Sequence, residues 1–145
     1  MATKAMIDEF LGQKKIALVR QSRSAQVHGF GIDTELSKKG YCVSVVYLDE
    51  AGNNGKLGDL KEPVDGVIVA VKPDQSSHAV GQAVEAGIAR VWLQEGSESR
   101  QAIQLCEDNN ISTIHGECVM MYAEPVKSVH AIHRWIWKVL GKLPK

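Results

Sequence analysis

Val91-Trp92-Leu93-Gln94-Glu95-Gly96 is an apolar strand that breaks off abruptly into glutamine, glutamate and glycine. Just upstream, Ala79 to Gly87 reads as a helix closed by glycine, so helix, strand, polar mouth and a further helix follow in order. That succession belongs to an open parallel sheet. In such sheets ligands bind beyond the carboxyl ends of the strands, near the point where strand order reverses.

The same grammar extends in both directions. Lys15 to Arg20 is a short continuous apolar run, as expected of a strand buried on both faces. Tyr41 to Leu48, with its β-branched Val43, Val45 and Val46, is a second strand, and Val64 to Val71 a third. Ala89 to Leu93 is the fourth, and Ile111 to Ile114 a short fifth that ends in His115-Gly116-Glu117-Cys118. Between them lie helices near Gly29 to Lys39, stopped by Gly40, after Pro73-Asp74, and over Ser97 to Asn109. Asp49 to Pro63 is turn-rich, a degenerate crossover with one helical turn around Leu57 to Leu60. Met6, Ile7, Phe10 and Leu11 mark a short leading helix before Gly12. Past Pro125, the apolar positions Val126, Val129, Ile132, Ile136, Val139 and Leu140 mark an amphipathic C-terminal helix.

Strict alternation predicts an α/β, Rossmann-like doubly wound sheet of about five parallel strands, with an extra C-terminal helix. One domain over residues 1–145 is expected: a leading helix at 1–14, a core at 15–118 and a helical extension at 119–145. A chain of 145 residues buries roughly 70% of its unfolded surface, enough for a core without staples.

Lysine plus arginine equals aspartate plus glutamate at 17 each, which argues against generic electrostatic binding of nucleic acid. Cys42, Cys106 and Cys118 are far apart and form no CxxC pair, so they read as reduced thiols of a cytoplasmic protein. The first residues lack the apolar core of a signal peptide, and no run approaches the roughly 20 apolar residues of a membrane span. No nucleophile–base–acid set, GxSxG elbow or phosphate loop of the GxxxxGK[ST] type is visible.

Gly40-Tyr41 before the second strand, Val64-Asp65-Gly66-Val67-Ile68-Val69 at the third, and Ala86-Gly87 leading into Val91 to Gly96 together resemble the CoA-binding domain family. Cys118 falls where such proteins often carry a cysteine after strand five. The resemblance spans roughly Lys15 to Cys118 and is similar also to the nucleotide-binding domain of the succinyl-CoA synthetase alpha subunit. It implies non-catalytic binding of coenzyme A or an acyl-CoA, the loop after strand one holding phosphate, that after strand three bordering the adenine, and that after strand four lying along the cofactor. Here those loops carry Gln21-Ser22-Arg23-Ser24, Val71-Lys72-Pro73 and Gln94-Glu95-Gly96. The family's glycine at the end of strand one is replaced by Arg20-Gln21-Ser22, and its asparagine-proline after strand two by Tyr47-Leu48.

The residues themselves support part of this. Ser22, Arg23 and Ser24 offer two hydroxyls and a guanidinium beside a helix start, a suitable anion cradle. Lys72 can pair with a phosphate beside a wall stiffened by Pro73, Gln94 can donate and accept, and Gly96 removes a side chain where a ligand would pass. Cys118 could meet the thiol end of CoA, although a buried, inert cysteine is the commoner case.

An NAD-dependent oxidoreductase or redox sensor is the alternative, with Asp49 or Glu50 on the ribose. Its support is weak, because Gly29, Gly31 and Thr34 echo GxGxxG too far from strand one. A third reading is an interaction module without ligand. Trp135 and Trp137 point to different faces of the C-terminal helix, a hint of a homodimer. His130 and His133 share a face there, but two imidazoles alone define no metal site.

Overall fold

The computed structural model of the chain describes residues 2–24, 29–49 and 55–123. Five strands, β1 (Lys15–Arg20), β2 (Cys42–Tyr47), β3 (Gly66–Ala70), β4 (Arg90–Gln94) and β5 (Ser112–Glu117), form one parallel sheet in the order β2-β1-β3-β4-β5. Helices α1 (Lys4–Gly12), α2 (Ile32–Lys38), α3 (Pro73–Glu85) and α4 (Arg100–Asp108) cover it. The Rossmann-like, doubly wound α/β architecture expected from the alternation is thus present. The C-terminal helix, with His130, His133, Trp135 and Trp137, lies outside the described residues.

Side chains alternate across each strand, and the two sets feed two separate cores. Ala17, Val19, Val67, Val69, Val91 and Leu93 pack under Ala79, Val80 and Ala83 of α3 and Ala102 and Cys106 of α4. Ile16, Leu18, Ile68, Trp92 and Ile114 point the other way, against Ile7 and Phe10 of α1 and Ile32 and Leu36 of α2. Being buried on both faces is what makes β1, β3 and β4 read as unbroken apolar runs.

The helices begin where local chemistry lets them. Thr3 caps α1, its hydroxyl accepting from the Met6 N–H at 3.2 Å, and Ser99 caps α4, accepting from the Ala102 N–H at 3.1 Å. Pro73 opens α3, where its missing N–H is harmless. Gly40 (φ +93°) and Gly87 (φ +71°) end α2 and α3 in the left-handed region.

Three details depart from the sequence reading or go beyond it. First, α2 starts at Ile32 instead of near Gly29, because Gly31, at φ +85°, precedes it in a conformation no helix contains. Second, β2 is an edge strand, so Val43, Ser44 and Val45 are half-buried and Cys42 is exposed. Third, His115-Gly116-Glu117 continues β5 instead of ending it. The register shifts between Leu93 and Gln94, so that Leu93 faces His115 and Gln94 faces Glu117; Gly116, at φ +77°, absorbs the additional residue as a β-bulge.

Trp92 ties that bulge to the core. It is fully buried, meets Phe10 edge to face at 5.3 Å and 70°, and donates its indole N–H to the Glu117 carbonyl at 2.9 Å. Trp92→Phe keeps the apolar contact but leaves a void and removes the donor, so we expect a loss of about 2–3 kcal/mol. Urea unfolding of the two proteins measures it; equal midpoints would mean that the indole contributes nothing.

Candidate functional site

Strand order reverses between β1 and β3, which lie side by side with Arg20 opposite Ala70. From the end of β1 the chain leaves towards α2 on one face, and from the end of β3 it enters α3 on the other. Loops that part in this way leave a crevice between them. The mouths of β1, β3 and β4 are consecutive in the sheet, so Gln21 to Ser24, Val71 to Pro73 and Gln94 to Gly96 come together along one edge.

The β1 mouth is built around a residue that the sequence reading noted only as a departure from the family pattern. Arg20 is only 3% exposed, although it ends a strand in a position open to a loop. Its guanidinium donates to the Ser24 carbonyl at 2.7 Å, closing the loop, and lies 5.6 Å and 5.8 Å from the ring centres of Phe30 and Tyr47. Arg23 sits over the same Tyr47 ring at 4.3 Å. Two cations sharing one aromatic ring concentrate positive charge at the mouth. Within the loop, the Ser24 N–H donates to Ser22 Oγ at 3.3 Å, and the Asp49 N–H to the Gln21 carbonyl at 3.0 Å. Gln21 Oε1 is withdrawn from solvent and has no hydrogen-bond partner.

Gly29 shows why the glycines after β1 are there. A Cβ at this position would stand 2.7 Å from Ala70 Cβ and 3.3 Å from Arg20 Cγ, and φ is +83°. Its role is close packing of the approach to α2 against the β1–β3 seam.

At the β3 mouth, Val71 is buried and donates its N–H to Ser97 Oγ at 3.1 Å. Ser76 Oγ in the first turns of α3 donates to the Ser97 carbonyl. The buried Ser97 therefore locks the β3–α3 turn to the β4–α4 turn. Lys72 and Pro73 are exposed at the start of α3. At the β4 mouth the Gln94 amide is turned sideways. It donates to Cys118 Sγ at 3.1 Å and accepts from the Val119 N–H at 3.0 Å, stitching β4 to the chain beyond β5. Gly96 takes φ +89° in the turn, and its N–H donates to the Glu98 carboxylate at 3.2 Å.

On the α3 side a cleft of about 1010 Å³ opens between this helix and the crossover from β2 to β3, bordered by Leu48, Lys56, Asp59, Ser77 and His78. Gln82 forms its floor. It accepts from the Leu57 N–H at 2.9 Å and donates to the Gly55 carbonyl at 3.3 Å, so one side chain attaches the crossover to the helix.

Sequence reasoning gave Arg20 and Tyr47 no role of their own and missed Phe30, Lys56, His78 and Gln82. A strand of five buried residues that ends in arginine was the available signal for the first. Tyr47 follows from it, since parallel register sets Arg20 beside Tyr47.

Cys42, Cys106 and Cys118 are free thiols. Burial pushes the Cys118 thiol up, against hydrogen bonds from Met120 and Gln94, with Glu95 pushing the same way as burial. Asp49 is exposed beyond β2, and Glu50 lies outside the described residues. Among the described residues no cluster of histidine, cysteine and carboxylates suits a metal, and no helix is long and apolar enough to cross a membrane.

A family model described as a CoA binding domain matches residues 14–124. The chain belongs to the CoA-binding domain family. Among solved structures, this CoA-binding domain is similar to a hypothetical protein from Pyrococcus horikoshii OT3, with 26% identity, 86% of this chain and 92% of that one covered, and a TM-score of 0.74. It is also similar to a conserved hypothetical protein from Pyrococcus furiosus, with 29% identity, coverage of 73% and 96%, and a TM-score of 0.63. A Thermus thermophilus protein at 20% identity, covering 92% of this chain and 95% of its own, shares the fold at a TM-score of 0.64. No curated protein matches the chain. None of these comparisons supports the NAD alternative.

Two predictions follow from the geometry of the mouths. Gly29→Ala forces Ala70 and Arg20 apart and should cost about 2–4 kcal/mol, read as a lower thermal midpoint; an unchanged midpoint would mean that the seam is loose. The second concerns Glu117, which accepts from the Tyr122 hydroxyl at 2.6 Å. Burial raises its carboxyl above the usual range, the Tyr122 bond opposes this, and Glu95 adds to the rise. The native state then holds the proton more tightly than the unfolded chain, so this contribution is present below the ordinary glutamate range and is lost as pH rises through the raised value. Glu117→Gln should therefore raise the thermal midpoint at pH 7 and do so less at pH 4; an equal gain at both would exclude the carboxylate as the cause.

Proposed function

We propose that this CoA-binding domain is a non-catalytic binder of coenzyme A or an acyl-CoA, which lies across the carboxyl ends of β1, β3 and β4. The observation that carries this reading is the pairing of a strand-order reversal with a cationic, aromatic loop at the β1 mouth, in a chain of this family. Gln21, Ser22, Arg23 and Ser24 would take phosphate, in a loop closed by Arg20. Val71, Lys72 and Pro73 would border the adenine, next to the cleft between α3 and the crossover. Gln94 would act through Cys118 and Val119, shaping the β4 mouth where Gly96 leaves room for the cofactor arm. Cys118 would stand near that arm as a shielded thiol instead of a reactive one.

The residues fit such a ligand. A nucleotide with several phosphates needs guanidinium donors, an aromatic surface and open space, and Arg23, Phe30 at 62% exposure and the cleft of about 1010 Å³ supply these. In this proposal the protein acts in the cytoplasm with a small molecule as partner and nucleic acid as none, and the C-terminal helix pairs two copies.

Thermal shift with CoA, acetyl-CoA, NAD and ATP tests the reading. A ligand at a hundred times its dissociation constant stabilises by about 2.7 kcal/mol, a rise on the order of 5–10 °C for a domain of this size. CoA or acetyl-CoA should give that rise. A shift with NAD but not with CoA overturns the reading, and no shift with any of them favours a module for protein contacts.

A further inference from the structure

The carboxyl edge of the sheet is divided by charge. At the β1 and β3 mouths, residues 20–24 and 71–73 hold Arg20, Arg23 and Lys72 and no carboxylate. At the other end, residues 91–99 and 112–123, covering β4 beyond Arg90, β5 and the turns that follow them, hold Glu95, Glu98 and Glu117 and neither lysine nor arginine. His115, half-buried on β5 opposite Leu93, is the remaining basic side chain there. Arg100, the next cation along the chain, borders the surface grooves of α4 with Gln104. The carboxylates gather at one place. The Glu95 N–H donates to the Glu117 carbonyl at 3.2 Å, so these residues are neighbours across the β4–β5 seam. Glu98 turns back over the β4–α4 turn, with both carboxylate oxygens 3.2 Å from the Gly96 nitrogen, and is fixed beside that glycine. Burial is the largest cause of the raised Glu117 carboxyl and Cys118 thiol, and the charge on Glu95 pushes both the same way.

A CoA thioester is divided in the same manner, with its phosphates at one end and its acyl group at the other. Along this edge it is favoured with the phosphates towards Arg20, Arg23 and Lys72, which sends the acyl group to the β4–β5 end. Resting on the CoA reading above, we infer that Glu95 and Glu98, beside Glu117, select the acyl group by charge: the protein takes CoA esters of uncharged acyl groups and rejects those whose acyl group carries a carboxylate. Selection of this kind works by repulsion of the wrong ligand and needs no added contact to the right one. Glu95 is exposed and meets the acyl group directly. Glu98 is held by the Gly96 N–H and Glu117 by the Tyr122 hydroxyl at 2.6 Å, so neither turns away from an incoming anion without breaking a hydrogen bond.

Titration calorimetry of the full chain with CoA, butyryl-CoA and succinyl-CoA tests this. The two esters have chains of nearly the same length, and one ends in a methyl group where the other has a carboxylate. At low ionic strength the wild type should bind butyryl-CoA about tenfold more tightly than succinyl-CoA, and the ratio should fall to about threefold or less in about 0.5 M salt, which screens exposed charges. Glu95→Gln should lower the ratio at low salt, and Glu95→Lys should bring it to about one or below. A residue that only shapes the turn would move both esters together and leave their ratio unchanged. Equal binding of the two esters by the wild type, tighter binding of succinyl-CoA, or a ratio that neither salt nor Glu95→Lys changes overturns the inference and leaves the CoA reading standing. Binding of CoA with neither ester does the same. If CoA and both esters fail to bind, the CoA reading and the inference fail together.

Discussion

The reversal of strand order between β1 and β3 is the constraint on which the rest of the molecule depends. Five parallel strands need crossovers, and with β1 and β3 adjacent the crossovers that leave them must cover opposite faces. The first consequence is two apolar cores, one beneath α1 and α2 and the other beneath α3 and α4. The second is a seam at the carboxyl edge that no helix among the described residues covers. The seam is closed from below by Gly29 against Ala70 and from the side by the stem of Arg20, so the edge is firm where a ligand would lie.

Polar groups at this edge divide the work between building and presenting. Ser97 and Gln94 are buried, and their side chains serve other parts of the protein: Ser97 joins the turns after β3 and β4, and Gln94 joins β4 to the segment after β5. Arg20 belongs with them, as a cation used to shape a loop. Arg23 and Lys72, by contrast, are exposed on the same edge. A buried charge at the end of β1 also alters the potential felt by any anion approaching the exposed ones, since low local dielectric lengthens its reach.

The fold was readable in the sequence because its signals are local. Gly40 and Gly87 stop helices, Pro73 starts one, and the runs from Ile16 to Val19 and from Val67 to Val71 are too apolar for anything but a doubly covered strand. The strand order was not readable, and with it went the edge status of β2 and the exposure of Cys42, since apolar Val43, Val45 and Val46 look alike at an edge and in a centre. Gly116 was read as part of a polar mouth because a bulge is visible only when two strands are paired. At the site, the loops were found by their position after each strand. The direction in which Gln94 turns, the burial of Arg20 and the contact of Arg23 with Tyr47 depend on neighbours distant in the chain, which spacing does not reveal.

The link from Gln82 to Leu57 and Gly55 has a consequence for how this fold can vary. Where α/β proteins commonly cross between parallel strands by a helix packed along its length, the described part of the passage from β2 to β3 is held by a three-residue 3₁₀ turn, the buried Leu57 and one glutamine. A crossover that keeps Leu57 in the core and both Gln82 bonds can change in length at only a slowly growing cost in closure entropy. The rim of the cleft can therefore lengthen or shorten over generations without any change to the sheet, so the fold holds an adjustable segment beside a wide cleft.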